Sequence, residues 1–414
     1  MQECTPTESN PVLIIGGGIV GLALAQALRR RNVPFIVFER ALCPPHDTTR
    51  GWGITIHWAL PALQTCLPEA LFAAIDSVQP TRGRFLFLDI STAEPRYSIP
   101  PAPRKRVSRV RLQRLLADGL DVDRVQYGMK FVGFEFTEDG EGVEAEFADG
   151  SKVSGCMLIG ADGSTSRVRR LLVGEESGRV EPVGANSLGV TVRMTEAELA
   201  PLRAIDPLLF QGSHPDTGKY MWFSILSTPE ANGSGSSSSA YYEAQINVSW
   251  LATDVVPASN KERLALIKEA ARAGSTGFHQ TFRDAIERIP EDTKVVEAKI
   301  ADWPTVRWVP CGGRVTLAGD AAHAMTMYRG EAANHGITDV AHLVEQLRLW
   351  QEGKKTRAEA VGEYEDEMIP RAYQAVLLSR QACLDAHHVR NLWPDSPLVS
   401  KRAIVRNPGV RISG

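Results

Sequence analysis

Residues 12–39 constrain this chain more than any other stretch. Val12-Leu13-Ile14-Ile15 is a short apolar run rich in β-branched residues, read as a buried strand. Three glycines follow, then Ile19 to Arg31 with helical composition rich in Leu and Ala. Phe35-Ile36-Val37-Phe38 is a second buried strand. Strand, helix and strand at this spacing make a βαβ unit, which demands parallel strands and a right-handed crossover. The glycines and the closing Arg29-Arg30-Arg31 also argue against a membrane-spanning helix over the apolar stretch from Val12 to Leu28.

The turn inside this unit carries chemistry. Gly16, Gly18 and Gly21 fit G-x-G-x-x-G after a strand and before a helix. The three positions allow a tight turn, close backbone approach to a pyrophosphate, and close helix–strand packing. The N–H groups and positive dipole end of the helix suit the phosphates. Glu39, at the end of the second strand, is placed to accept hydrogen bonds from the ribose hydroxyls of an adenosine, and its charge disfavours a 2′-phosphate there.

Composition narrows the class. The chain has 414 residues, 43% of them apolar and 23% charged, enough for a large α/β body with an inserted layer. A net charge of −3 speaks against nucleic acid as a partner. Six scattered cysteines without a C-x-x-C pair predict free thiols, no disulfide scaffold and no metal site. The polar leader Met1 to Asn10 lacks the basic start of a signal peptide. No stretch reads as a membrane span, so the expected home is cytoplasmic, as a monomer or homodimer.

The expected fold class is α/β: a Rossmann-like body, an inserted and mainly antiparallel β-sheet domain, and C-terminal helices. The boundaries read 1–182 for the first part of the body, 183–299 for the insert, 300–355 for the return of the body, and 356–414 for the helical segment. Phe131 to Phe136, Val143 to Phe147 and Val153 to Ile159 read as strands joined by Asp-Gly turns. Pro95 to Pro103 reads as an extended connector running into the basic run Arg104-Lys105-Arg106. Leu188 to Val192, Tyr220 to Leu226 and Tyr241 to Leu251 are strand-like, and the Gly/Ser tract over 232–239 reads as a hairpin tip. Helices are expected at Lys261 to Ala273, Phe278 to Arg288, Ala333 to Leu349 and Thr356 to Val389, and a buried strand at Val315 to Ala318.

Four further segments are candidate sites. Arg50-Gly51-Trp52-Gly53 places an arginine between glycines, fit to pair with a diphosphate. Arg109 lies in a basic helix whose apolar face is Leu112, Leu115 and Leu116. Asp162 follows a strand in Gly160-Ala161-Asp162-Gly163, and Asp320 follows another in Gly319-Asp320-Ala321-Ala322-His323. Gly330 to Asn334 then opens a helix near Ala333.

With its glycine fingerprint and Glu39, its Ala161-Asp162-Gly163 segment and its Gly319-Asp320 turn in this order, the chain resembles the FAD-dependent aromatic hydroxylases of the para-hydroxybenzoate and salicylate hydroxylase type, and most closely the fungal members that tailor secondary metabolites. The resemblance implies that Gly16, Gly18, Gly21, Glu39, Arg50, Arg109, Asp162, Asp320, Gly330, Ala333 and Asn334 serve FAD. It implies NAD(P)H as a transient co-substrate, O2 as oxidant, and one oxygen atom inserted into an electron-rich aromatic or heteroaromatic small molecule. Two residues depart from the family pattern: Met327 stands where Pro is usual, and Ala332 where Gly is usual. Epoxidation, Baeyer–Villiger insertion and a flavin reductase or dehydrogenase inactive toward O2 therefore stay open. For catalysis or substrate contact the candidates are Arg193, Tyr220, Tyr242 and His335, with Trp222, Tyr241 and Trp250 as further aromatic walls of an apolar pocket. His335 equally suits a structural role beside the cofactor.

Overall fold

The computed structural model describes residues 5–44, 52–75, 84–99, 103–237, 239–252, 255–274 and 277–400. The βαβ unit forms as expected, with strands Val12–Ile15 and Phe35–Glu39 flanking helix Ile19–Arg30. These strands belong to a five-stranded parallel sheet in the order Val315–Leu317, Met157–Gly160, Val12–Ile15, Phe35–Glu39, Val125–Tyr127. All four residues of Val12–Ile15 are buried, as befits a strand covered on both faces. Its core continues into the helices Ala332–Gln351 and Arg357–His387.

A second sheet of seven strands runs Val295–Glu297, Ala185–Met194, Tyr242–Leu251, Tyr220–Ser227, Leu209–Ser213, Leu86–Asp89, Pro95–Ser98. Every neighbour pair is antiparallel except Leu209–Ser213 with Leu86–Asp89. One face packs on helices Glu196–Ile205, Asn260–Arg272 and Gln280–Glu287, burying Val190, Val192, Ala244, Ile246, Val248, Met221 and Phe223. Alternate residues, Glu243, Gln245, Asn247 and Trp222 among them, face a cavity instead.

Two sequence expectations need correction. Pro95–Ser98 is an edge strand of this sheet, not a free connector; proline is tolerated there because an edge leaves one row of N–H groups unpaired. The sheet thus draws on residues before the 183–299 block. Val153 to Ile159 is two strands, Lys152–Gly155 in a three-stranded meander and Met157–Gly160 in the parallel sheet. The chain changes sheets at Gly155, where a Cβ would come within 2.4 Å of the Pro11 carbonyl oxygen. Among the described residues, no helix is long and apolar enough to cross a membrane.

Candidate functional site

The carboxyl ends of the parallel strands lie along one edge, where an open α/β sheet holds its ligands. Gly16, Glu39, Ala161-Asp162 and Asp320 all stand there, each just after or at the end of its strand. Gly16 has φ +113°, and a Cβ on it would lie 2.4 Å from the Ala161 carbonyl oxygen. At Gly21 a Cβ would lie 2.0 Å from the Gly16 carbonyl oxygen, so this glycine lets helix and turn touch. Gly18 differs: a Cβ there meets nothing within 4 Å, which leaves an open approach at the start of the helix. Glu39 closes the turn by accepting from Gly17 N and Ala41 N, both at 2.8 Å. Four lone-pair positions on a carboxylate leave it capacity for more donors.

From this edge a cavity of about 1790 Å³ extends to the polar face of the seven-stranded sheet. That exceeds the roughly 300–1,000 Å³ of a single small-ligand pocket. Arg109 lies over the Trp52 ring at 5.2 Å, and its guanidinium donates no hydrogen bond to a described residue. Burial lowers its pKa while the Asp320 and Glu39 carboxylates favour its charge. Asp320 is open to the cavity yet deep in the molecule, and burial raises its pKa against the opposing charges of His323, Arg109 and Arg169. Its carboxylate accepts no hydrogen bond from a described residue. Gly319 enters this turn at φ +64°, a backbone conformation only glycine adopts freely.

Gly330, with φ +64°, and Ala333 line the cavity beside Ala332, the first residue of the long helix. Position 332 is helical, so alanine fits it without strain; the positive φ is needed two residues earlier. Met327 opens a 3-10 turn, a position that suits proline and tolerates other residues. Asn334 sits behind this loop. Its Oδ1 accepts from His57 N at 2.9 Å and its Nδ2 donates to the Thr55 carbonyl at 2.9 Å, clamping the helix to strand Gly53–Ile56. Asp162 is engaged within its own loop, accepting from Ser166 Oγ at 2.5 Å and Arg167 N at 2.6 Å, at the start of helix Arg167–Val173. Arg50 lies outside the described residues.

The structure separates the other candidates. Arg193, over the Tyr241 ring at 4.5 Å, and Tyr220 both line the cavity. Tyr220 donates its hydroxyl to Gln211 Oε1 at 2.7 Å. Tyr242 shares the parity of Ala244 and Ile246 and turns to the opposite face, where Arg203 reaches its hydroxyl at 3.5 Å; Trp250 packs on that side too. His335 is buried behind the Gly330–Ala333 loop, where its Nδ1 accepts from Arg371 at 2.9 Å. Burial and the Arg371 charge push its pKa well below 6.5, so the ring is neutral. Arg371 also holds Asp339, which in turn accepts from His323 Nε2 at 2.6 Å and Gly319 N at 2.8 Å. The pair His323 and His335 therefore shapes the Asp320 turn from behind the cavity.

Several site residues escape sequence reasoning. Gln113 Nε2 donates to the Gly17 carbonyl at 2.7 Å, tying the basic helix to the glycine turn. Arg169 donates to the Ser164, Asp320 and Ala321 carbonyls and lies 4.8 Å over the Trp303 ring, joining the Asp162 and Asp320 loops. Glu331 lines the cavity and pairs with the buried Arg329 at 2.7 Å. Arg106, read as part of a basic connector, is only 3% exposed and lines the cavity. Only the strand alternation around Glu243, Gln245 and Asn247 held a readable signal.

A model of the family described as "FAD binding domain" matches residues 9–379. FAD-dependent monooxygenase dbaB of Emericella nidulans is 49% identical over 352 residues, covering 83% of this chain and 87% of that protein. FAD-dependent monooxygenase cctM of Talaromyces islandicus is 32% identical over 402 residues, covering 95% and 96%. Among solved structures, 2,6-dihydroxypyridine-3-hydroxylase of Arthrobacter nicotinovorans superposes with a TM-score of 0.77 at 20% identity, over 98% of this chain and all of that one. That last likeness speaks to the fold.

Proposed function

The chain belongs to the FAD-binding-domain family and is a FAD-dependent monooxygenase of the aromatic-hydroxylase type; from that premise we propose that it draws electrons from NAD(P)H and inserts one atom of O2 into an electron-rich aromatic or heteroaromatic small molecule. The resemblance to the fungal members that tailor secondary metabolites favours an intermediate of secondary metabolism as that molecule. The observation that carries the reading is the continuous cavity of about 1790 Å³ that runs from Asp320 and Arg109 to Tyr220 and Trp222, with room for a dinucleotide and a ring side by side.

The residues fit FAD. Gly18 leaves an open approach at a helix N-terminus, Arg109 offers an uncommitted guanidinium, and Asp320 offers an uncommitted carboxylate. Gly16, Gly18 and Gly21 would hold the diphosphate and Glu39 the adenosine ribose. Arg109 would reach the diphosphate–ribityl region and Asp320 the ribityl hydroxyls. Gly330, Ala332 and Ala333 would border the flavin ring with the positive end of the long helix. When bound, FAD supplies the electron transfer and the oxygen chemistry. The chain's own part is orientation, exclusion of water by walls such as Met325, Met327 and Trp222, and a fixed field around the ring. His335, neutral and held by Arg371, would keep its loop in shape rather than move a proton at the substrate. Arg193, at the cavity wall, would steer a polar substituent. We extend the reading to the division of labour between the 183–299 block, with the strands Leu86–Asp89 and Pro95–Ser98 that join its sheet, as substrate wall and the parallel-sheet body as cofactor holder.

The test follows flavin reduction without oxygen. Mixing the holoenzyme with NADH or NADPH, with and without a panel of extended phenols and indoles, should show at least one aromatic accelerating flavin bleaching tenfold or more. Uniform reduction rates across the panel would overturn the reading.

A further inference from the structure

Arg106 is a buried cation whose neighbours do not account for its charge. It lies on strand Lys105–Ser108, opposite Thr55 of strand Gly53–Ile56. Its Nη1 donates to Thr55 Oγ1 at 3.1 Å and its Nη2 to Ser224 Oγ at 2.7 Å, both neutral hydroxyls. Its Nε is buried without a hydrogen-bond partner. The guanidinium lies 5.6 Å over the Trp222 ring. A Cβ at Gly53 would come within 2.4 Å of Nη2, so glycine at 53 makes the room that this group occupies.

No carboxylate among the described residues pairs with it. Of the acids lining the same cavity, Glu243 pairs with Arg111 at 3.1 Å, Glu331 with Arg329 at 2.7 Å, and Glu297 with Arg263 at 3.0 Å. Asp320 stands beside Arg109 and Arg169. The charge that bears on Arg106 is a like one, Arg104, which together with burial brings the Arg106 pKa down to about 9. Burying an arginine without a counter-charge is costly, and two hydroxyl contacts do not replace an anion.

Its place gives that cost a use. Thr55, whose hydroxyl Arg106 touches, is clamped through its carbonyl to Asn334, next to the loop Gly330–Ala333. Ser224 and Trp222 belong to the opposite wall. Arg106 therefore sits where the cofactor loop and the substrate wall meet. A guanidinium fixed in plane by two hydroxyls and an aromatic face keeps one further N–H on each Nη, a fork for a planar oxyanion.

We propose that the substrate is a flat aromatic molecule bearing one oxyanion, a carboxylate or an ionised acidic phenol, and that Arg106 holds it. This rests on the monooxygenase reading and narrows its substrate class. One buried cation matches one negative charge; Arg193, Lys294 and Lys299 also line the cavity but are exposed to solvent, and Arg109 stands by the cofactor turn.

The test uses the FAD-loaded enzyme and matched ligands, followed by the shift in flavin absorbance. One pair is 1-hydroxy-2-naphthoate and its carboxamide; the other is an acidic nitronaphthol and its methyl ether. In at least one pair the wild type should bind the anion tenfold or more tightly than its neutral match, and that pair tells carboxylate from phenolate. Arg106→Gln should bring the preference to within about twofold while FAD content and affinity for the neutral ligand stay unchanged. Arg106→Lys, which keeps the charge and loses the fork, should show an intermediate preference, and it carries the comparison if the glutamine variant folds poorly. No preference in either wild-type pair, a preference that survives Arg106→Gln, or loss of FAD from a folded Arg106→Lys would each overturn the proposal. Equal binding of the two members of each pair would leave the aromatic reading standing; a holoenzyme whose flavin responds to none of the four ligands would bring both down.

Discussion

Gly18 and Gly21 belong to one motif and do opposite jobs, which makes them separable by a single methyl group. Gly18 has φ −76° and ψ −174°, extended backbone open to any residue, and free space where a Cβ would go. Gly18→Ala should change the stability of the FAD-free protein by less than about 1 kcal/mol and still lower FAD affinity at least tenfold, because the methyl group enters the approach to the phosphates. Gly21→Ala should unfold or strongly destabilise the protein, by on the order of 3 kcal/mol or more, since its Cβ falls 2.0 Å from the Gly16 carbonyl oxygen. Chemical denaturation of the stripped proteins, with FAD titration of each, checks both; a stable Gly21→Ala or a Gly18→Ala with full affinity contradicts the assignment. The fingerprint was legible because its contacts are local. Arg106 was not: three adjacent cations look like a solvated run, and its burial comes from pairing with a strand some fifty residues upstream and from Ser224 on another sheet. The place of Asp162 was readable, whereas its engagement with Ser166 and Arg167 depends on where the following helix begins.

At the level of elements, the strand Tyr242–Leu251 holds the main lesson about the cavity. Counting its aromatic residues suggests an apolar wall, yet Tyr242 and Trp250 share the parity of Ala244, Ile246 and Val248. The cavity face is instead Glu243, Gln245 and Asn247, and Gly189 opposite leaves room for Asn247, whose Oδ1 would otherwise meet a Cβ at 2.1 Å. Period-two alternation, read strictly, contains this answer; which face meets the cofactor body is a tertiary fact that one sequence does not carry. The βαβ unit, the Asp-Gly hairpins and the two long C-terminal helices were legible because periodicity and turn chemistry are local. The switch of sheets at Gly155 is not local. Asn334 shows how elements are joined at the site. Asn334→Ala leaves the His57 N–H and the Thr55 carbonyl without their partner and should cost about 2–4 kcal/mol, with faster FAD release as the clamp on strand Gly53–Ile56 loosens. A stopped-flow FAD release rate equal to wild type would show that the clamp serves stability alone.

Across the whole molecule, buried neutral histidines make stability sensitive to mild acid. His387 donates Nδ1–H to the Cys383 carbonyl at 2.7 Å and meets Ser249 Oγ at 3.0 Å through Nε2; burial lowers its pKa from 6.5 to about 4. The unfolded chain therefore takes up a proton below pH 6.5, while the folded chain takes it only near pH 4. The folded state loses stability between those values, by about 2 kcal/mol from pH 7 to pH 5 for this group, and His335 acts in the same direction. Urea midpoints at the two pH values should converge in His387→Gln relative to wild type; an unchanged pH dependence would assign the acid sensitivity elsewhere. Asp339 acts in a lower range. Burial works to raise its pKa, but His323 and Arg371 outweigh it and hold the carboxyl below the usual range, so its contribution is present above about pH 4 and fades in stronger acid. All these groups sit behind the Asp320 turn or beside the polar face of the seven-stranded sheet, and the fold they support frames the cavity. The claim that this cavity performs oxygen insertion is tested most directly with 18O2. The holoenzyme is supplied with NAD(P)H and an aromatic that accelerates flavin reduction, and the product is weighed by mass spectrometry. The account predicts a product heavier by one 18O atom, with one NAD(P)H consumed per product. An unlabelled aromatic, with all reduced oxygen recovered as hydrogen peroxide for every ligand that binds, would contradict it.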